Sequence, residues 1–194
     1  MSEQTKDWFF QRRDFYSSSA LDNLYNQTVK VAEEIIGAYK KGNKVLVFGN
    51  GGSAAEAQHF AAELVCQFEK KRKALPAIAL TTDTSIITAE ANDYGFEIIF
   101  ARQIEALGNA GDIAIGLTTS DAIKGDPHSA DILEGFKKAR EKGLISIGLF
   151  SSKTKNLLEY VDKAIVVPHT NTAIIQEAHL AAIHLICKII EEHE

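Results

Sequence analysis

The chain has little of three things. It has only two cysteines in 194 residues. Cys66 and Cys187 lie far apart in segments that read as helical and form no CxxC pair, so free buried thiols are expected. It has no surplus of positive charge: 21 Lys and Arg against 26 Asp and Glu leave a formal charge of -5. That argues against a surface built to neutralise nucleic-acid phosphates or an anionic membrane, although a small, focused anion site is compatible with it. Long hydrophobic runs are also lacking. Met1 to Arg13 is charged and mixed, without the apolar core of a signal peptide, and no later run approaches the roughly 20 apolar residues of a membrane span. A soluble, cytosolic protein that binds neither nucleic acid nor membrane is expected.

No segment is low in complexity, linker-like or repetitive. With 45% hydrophobic residues, the length suffices for one core and is short for two. A single domain over residues 1–194 is expected, with 1–42 a helical segment packing on the core or on an oligomer interface. After a helical stretch from Asp14 to Lys41, apolar runs of strand length alternate with amphipathic runs of helix length, the rhythm of a parallel sheet. The strand candidates are Lys44–Phe48, Ala77–Leu80, Asp112–Leu117, Leu144–Leu149 and Lys163–Val167, each as continuously apolar as a strand covered on both faces. Ser53–Glu69, Ile98–Leu107 and Ser129–Lys142 read as crossover helices, Thr154–Tyr160 as a shorter one and Thr172–Glu192 as the last. Pro168 and Asn171-Thr172 supply the break and cap ahead of that last helix. The expected fold is a doubly wound, five-stranded parallel α/β sheet flanked by helices, with an N-terminal helical extension. Apolar stripes on both terminal helices, among them Leu24, Val31, Ile35, Ile183 and Ile186, suggest a helix-lined oligomer interface or ordinary packing within the chain.

In open α/β sheets ligands bind beyond the carboxyl ends of the strands. After Phe48 the chain reads Gly49-Asn50-Gly51-Gly52-Ser53 and enters a helix, which frees backbone N–H groups at a positive helix end. The turn suits a polar or anionic ligand, yet it matches neither GxGxxG nor the GxxxxGK[ST] loop and can equally be structural. After Leu117 come Thr118-Thr119-Ser120, with Ser129 placed to cap the next helix, and these hydroxyls suit a phosphate without needing a lysine. On the helix after the glycine turn, His59 and Glu63 are four apart and share a face, as a metal site, an acid/base pair or a plain surface pair. On the last helix Gln176 and His184 are eight apart and about 80° round the axis, so both can border one cleft. His179 falls on another face.

Together these segments resemble the phosphoheptose isomerase family. The resemblance is carried by Gly49 to Ala55, Gln58-His59-Phe60-Ala61-Ala62-Glu63-Leu64, Leu75 to Ser85, Ala91-Asn92-Asp93-Tyr94-Gly95-Phe96-Glu97, Arg102 to Gly108, and Ile175-Gln176-Glu177-Ala178-His179 with His184. The matches run in order over nearly all of the chain from Lys44. The resemblance implies a sugar-isomerase (SIS) fold, a homotetramer with active sites between subunits, and conversion of sedoheptulose 7-phosphate to D-glycero-D-manno-heptose 7-phosphate for bacterial cell-surface polysaccharides such as lipopolysaccharide and capsule. It implies Glu63 as general base and His184 as general acid, and a zinc ion held by His59, Glu63, Gln176 and His184. No organic cofactor is implied. It also places Asn50, Gly51, Gly52, Ser53, Glu63, Asn92, Asp93, Thr118, Thr119, Ser120, Ser129 and Gln176 against substrate.

Two departures stand out. Family members commonly read Ser-Thr-Ser-Gly-Asn-Ser where this chain has Thr118-Thr119-Ser120, then Asp121 to His128, then Ser129. The phosphate loop is longer and more acidic; Asp121 or Asp126 beside a phosphate repels it unless the carboxylates point away or Lys124 and His128 offset them. Cys66-Gln67 stands where many members have Gly-Arg. Two other readings carry the same fold: a non-enzymatic SIS protein that binds the replication initiator, whose kind lacks the residues matching Glu63 and His184, and a sugar-phosphate-sensing regulator, which usually adds a DNA-binding domain.

Overall fold

The computed structural model describes residues 3–122 and 129–193; Lys124, Asp126 and His128, with the rest of 123–128, lie outside them. The five apolar runs form β1 (Val45–Gly49), β2 (Ala77–Ala79), β3 (Ile113–Leu117), β4 (Ile145–Ser151) and β5 (Lys163–Val167). All neighbours pair in parallel, in the order β2-β1-β3-β4-β5. Every residue of β1 and β3 is buried, the reason these strands read as unbroken apolar runs. Side chains alternate across the sheet. Val45, Val47, Ile113 and Ile115 face a layer built from α2 (Ala20–Lys40), α3 (Gly52–Val65) and α7 (Thr172–His193). Leu46, Phe48 and Ala114 face α5 (Ile99–Leu107) and α6 (Ala130–Glu141), where Phe48 packs on Phe100 and Phe136 with ring centroids 5.3 Å apart in each pair. Just before β3, the buried Asp112 carboxylate accepts from the backbone N–H of Lys44 and Asn109 and pairs with the Lys44 ammonium. It ties the starts of β1 and β3 together, so their carboxyl ends finish level, Gly49 opposite Leu117.

Several expectations are corrected. The N-terminal helical stretch is two helices, α1 (Glu3–Tyr16) and α2, because the chain turns at Ser17–Ser19, where the Ser18 hydroxyl donates back to the Phe15 carbonyl. A helix that the hydrophobic pattern did not reveal, α4, covers Thr84–Asp93. The Asp83 carboxylate caps it by accepting from Ile86 N–H, but none of its residues is fully buried, and the half-covered Ile87 and Ala91 are too short a stripe to mark it. The cap and that narrow contact hold it in place. The segment after β4 forms a 3-10 turn at Asn156–Tyr160. Cys187 is buried as expected but Cys66, one residue beyond α3, is exposed.

α7 overturns a further expectation: it is long and apolar enough to cross a membrane by length and composition. Half of its most apolar stretch is buried within this chain, however, where Ile175, Ile183 and Ile186 join the core beside Val31 and Ile35 of α2. The apolar stripes of the terminal helices are thus largely used inside the monomer. The Asn171 side chain caps α7, its oxygen accepting from the N–H of Ala173 and Ile174. The aromatic residues left exposed near the N-terminus are Trp8, Phe9, Phe10, Tyr16 and Tyr25.

Candidate active site

With strand order 2-1-3-4-5, the direction of winding reverses between β1 and β3, and a crevice opens beyond their carboxyl ends. A cavity of about 540 Å³ lies there, lined by the turn from Asn50 to Ser53, by Leu117 to Ser120, and by Phe96, Ser129, Asp131, Thr172 and Gln176. Gly51 has φ +55°, a backbone state that a β-carbon disfavours. At Gly52 a β-carbon would fall 2.4 Å from Gln176 Nε2; only glycine lets the Gln176 side chain reach across to Ser53 Oγ, at 3.4 Å.

The hydroxyl loop is held from behind. Ser151 Oγ donates to the Thr119 carbonyl and Thr154 Oγ1 to the Ser120 carbonyl, and both donors are buried outside the cavity lining. These carbonyls are therefore aimed away from the cavity, which removes acceptors from an anion's side of the loop. The Asp121 carboxylate also turns away. It accepts from the backbone N–H of Lys155, Asn156 and Leu157 and from Asn156 Nδ2. The carboxylate expected to repel a phosphate is instead engaged with the turn beyond β4. Ser129 stands at the head of α6, but its side chain makes no capping bond. It adopts a left-handed conformation, φ 61°, with its hydroxyl 3.5 Å from Thr118 Oγ1. A non-glycine residue held there stores strain of about 1 kcal/mol or more, and such strain gathers at functional sites.

His59 and Glu63 lie further along α3. His59 Nε2 is 2.8 Å from His184 Nε2 and 3.5 Å from Glu63 Oε1, and Phe68 stacks on the His184 ring. Burial holds the His184 pKa below the ordinary imidazole value, the His59 charge adds to this and the Glu63 charge opposes it. At 2.8 Å the facing nitrogens make one hydrogen bond, one ring donating and the other accepting.

These groups do not meet the cavity within one chain. From Ser53 to Glu63 is about 15 Å along the α3 axis, and from Gln176 to His184 about 12 Å along α7. Gln176 lines the cavity, whereas His59, Glu63 and His184 do not. The angular argument put Gln176 and His184 on neighbouring faces but ignored this axial separation. Asn92 and Asp93 are also outside the lining, hydrogen-bonded to each other on exposed α4. For zinc, two imidazole nitrogens face each other with a carboxylate beside one, a suitable donor set. Among the described residues, however, no three His, Cys, Asp or Glu side chains group closely enough to hold an ion, and Gln176 is turned to Ser53. His179 is fully buried, bonded to the Phe150 carbonyl and held near pKa 4 by burial, so it is a neutral core residue.

Asp131, Thr172 and Phe96 were not among the candidates. Asp131 and Thr172 carry a signal that was there to find, since each is in the first turn of a helix entered from the sheet's carboxyl end. Phe96 carried none.

The fold and the cavity define a SIS-domain protein, and the SIS domain family matches residues 14–151. A phosphoheptose isomerase of Aquifex aeolicus is 51% identical over 174 residues, covering 89% of this chain and 88% of the relative. One of Campylobacter jejuni is 49% identical over 169 residues, 87% of this chain and 88% of the relative. The solved phosphoheptose isomerase of Francisella tularensis superposes with a TM-score of 0.91 at 36% identity, over 99% of this chain and all of that one. That of Neisseria gonorrhoeae gives 0.88 at 38%, over 98% of each. The chain belongs to the phosphoheptose isomerase family.

Proposed function

We propose that the chain isomerises sedoheptulose 7-phosphate to D-glycero-D-manno-heptose 7-phosphate in the cytoplasm, supplying heptose for cell-surface polysaccharide. The observation that carries this reading is the hydroxyl-lined cavity at the winding reversal, with its loop carbonyls and Asp121 turned away from it, in a chain so similar to phosphoheptose isomerases. Thr118 to Ser120, Ser129 and the N-terminal N–H groups of α3 hold the phosphate. Glu63 takes the proton from C1 while the C2 oxygen gains one, giving the enediol. The C1 hydroxyl then loses its proton and C2 gains one, leaving the carbonyl at C1. His184, whose imidazole can both give and take back a proton, serves as the general acid that exchanges the oxygen-bound protons. His59, Glu63 and His184 carry the nitrogen and oxygen donors that zinc takes; drawn together around the ion they would hold it, and it would stabilise the enediolate oxygens as a Lewis acid.

The axial separation along α3 and α7 supports a further part of the reading. The cavity of one subunit is completed by Glu63 and His184 of another, in a homotetramer. The presence of both residues also counts against a purely non-enzymatic partner-binding role.

Turnover of sedoheptulose 7-phosphate by the purified chain tests the reaction; conversion of other ketose phosphates in its place would refute the substrate. Glu63→Gln and Ser120→Asp should each be inactive. Co-expressed, they should recover part of the activity, and mixed oligomers that stay dead would overturn the shared site. Metal content of the purified protein, measured with and without the His59→Ala change, tests the zinc site.

A further inference from the structure

Asp131 is 2% exposed, lies in the first turn of α6 and lines the cavity, an unexpected place for a carboxylate in an anion site. Its Oδ2 accepts from Asn50 Nδ2 at 2.8 Å. Asn50 itself is exposed at the head of the glycine turn and lines the same cavity. A carboxylate offers only acceptors, whereas a carboxamide offers a donor end and an acceptor end. The contact therefore fixes which way round the Asn50 amide sits: its NH₂ group is held by Asp131, and Oδ1 is left as the acceptor. An acceptor cannot serve a phosphate oxygen, but it suits a sugar hydroxyl. Asp131 also places a negative charge at the positive end of α6, so that helix end is filled from within and the phosphate is left to the Thr118–Ser120 side.

We infer that Asp131 is a positioning residue for specificity, locking the Asn50 carboxamide as a hydroxyl acceptor so that the cavity distinguishes a polyhydroxylated sugar phosphate from phosphate alone. This rests on the isomerase reading for the identity of the sugar. The lock acts through donor and acceptor polarity rather than through charge, and the two can be separated. Asp131→Asn is isosteric, removes the charge and frees Asn50 to flip. Adding Asn50→Asp to it restores both the net charge and an acceptor facing the cavity, with the polarity of the pair reversed.

Calorimetric titration of the full-length protein with sedoheptulose 7-phosphate and, separately, with inorganic phosphate provides the test. Asp131→Asn should bind the sugar phosphate about tenfold more weakly while inorganic phosphate binds no worse, since a site built to pair a hydroxyl loses selectivity when that partner is lost. KM should rise with kcat changed much less, and the Asn50→Asp/Asp131→Asn double variant should recover most of the loss. Asn50→Ala, at an exposed position, should show the same selective loss and covers the case in which Asp131→Asn does not fold. Equal changes for both ligands, or a double variant no better than Asp131→Asn, would overturn the lock. Wild-type protein that binds inorganic phosphate but not sedoheptulose 7-phosphate would refute the isomerase reading itself, and the lock with it.

Discussion

Replacing Glu191 with glutamine should loosen the join between the helices that carry Glu63 and His184. Glu191 sits near the end of α7 with its side chain 1% exposed. One carboxylate oxygen accepts from Phe68 N–H at 2.7 Å and the other from Glu69 and Lys70 N–H, each at 2.9 Å. Arg72 lies 3.4 Å away, too skewed for a hydrogen bond from its Nε, while its terminal nitrogens donate to the carbonyls of Glu63 and Leu64. Arg72 therefore caps the carboxyl end of α3, and Glu191 ties that cap and the following turn to α7.

Hydrogen bonds to a charged acceptor are each worth about 1.5–3 kcal/mol. Glutamine keeps one accepting oxygen and turns an NH₂ group towards remaining donors, so a loss of about 2–4 kcal/mol is expected. Alanine, which leaves the buried guanidinium without its counter-charge, should cost about 3–5 kcal/mol. Urea unfolding at fixed protein concentration measures this. Burial alone raises the Glu191 pKa, but the three N–H donors and Arg72 outweigh it and hold the group below its usual value. Its stabilisation is thus complete above the unfolded carboxylate pKa of about 4.3 and is lost as pH falls through the lower folded value. The gap between wild type and Glu191→Gln should be widest above about pH 5 and close in acid. A loss below about 0.5 kcal/mol, or a gap that widens on acidification, would refute the reasoning.

Glu56 behaves in the opposite sense. It is buried on α3, neither oxygen has a hydrogen-bond partner among the described residues, and burial pushes its pKa up to about 7 against a weaker opposing effect of Ser53. With the folded value above the unfolded one, stability should fall as pH rises from about 4.5 to 7, and Glu56→Gln should be more stable than wild type at pH 8 by at most about 3 kcal/mol; thermal melts across pH would show no divergence if this is wrong. Asp121→Ala should cost about 1–2 kcal/mol as a lost cap and weaken binding of inorganic phosphate by calorimetry, since the loop would lose its tie to the Lys155–Leu157 turn. Unchanged phosphate affinity would show that Ser151 and Thr154 hold the loop alone. Gly52→Ala should fold normally but displace Gln176, whose flexible end occupies the space, raising KM for sedoheptulose 7-phosphate; an unchanged KM would remove Gln176 from the binding surface.

The sheet was legible because a parallel strand covered on both faces must be apolar throughout, as β1 and β3 are. The switch-point cavity followed from the strand rhythm together with Gly49–Ser53 and Thr118–Ser120. α4 was not legible, because a helix that packs only Ile87 and Ala91, both half-covered, against the core leaves too faint a periodic trace. Local sequence could name Asp121 as a charge beside an anion site, but its direction depends on N–H groups more than 30 residues away. Asp131 could have been placed at the cavity from its helix turn, but its partner could not, since Asn50 is 81 positions distant. Likewise, helical periodicity placed Gln176 and His184 near one face, but only their neighbours in space, Ser53 for one and His59 for the other, reveal that they serve opposite ends of α3. The sequence by itself determined the elements that bury a broad face, the family and the residue types available for chemistry, because burial is written in local pattern. Which groups face the cavity, and which way each carboxylate points, was decided only by the tertiary structure, because those choices are made by contacts between residues distant in the chain.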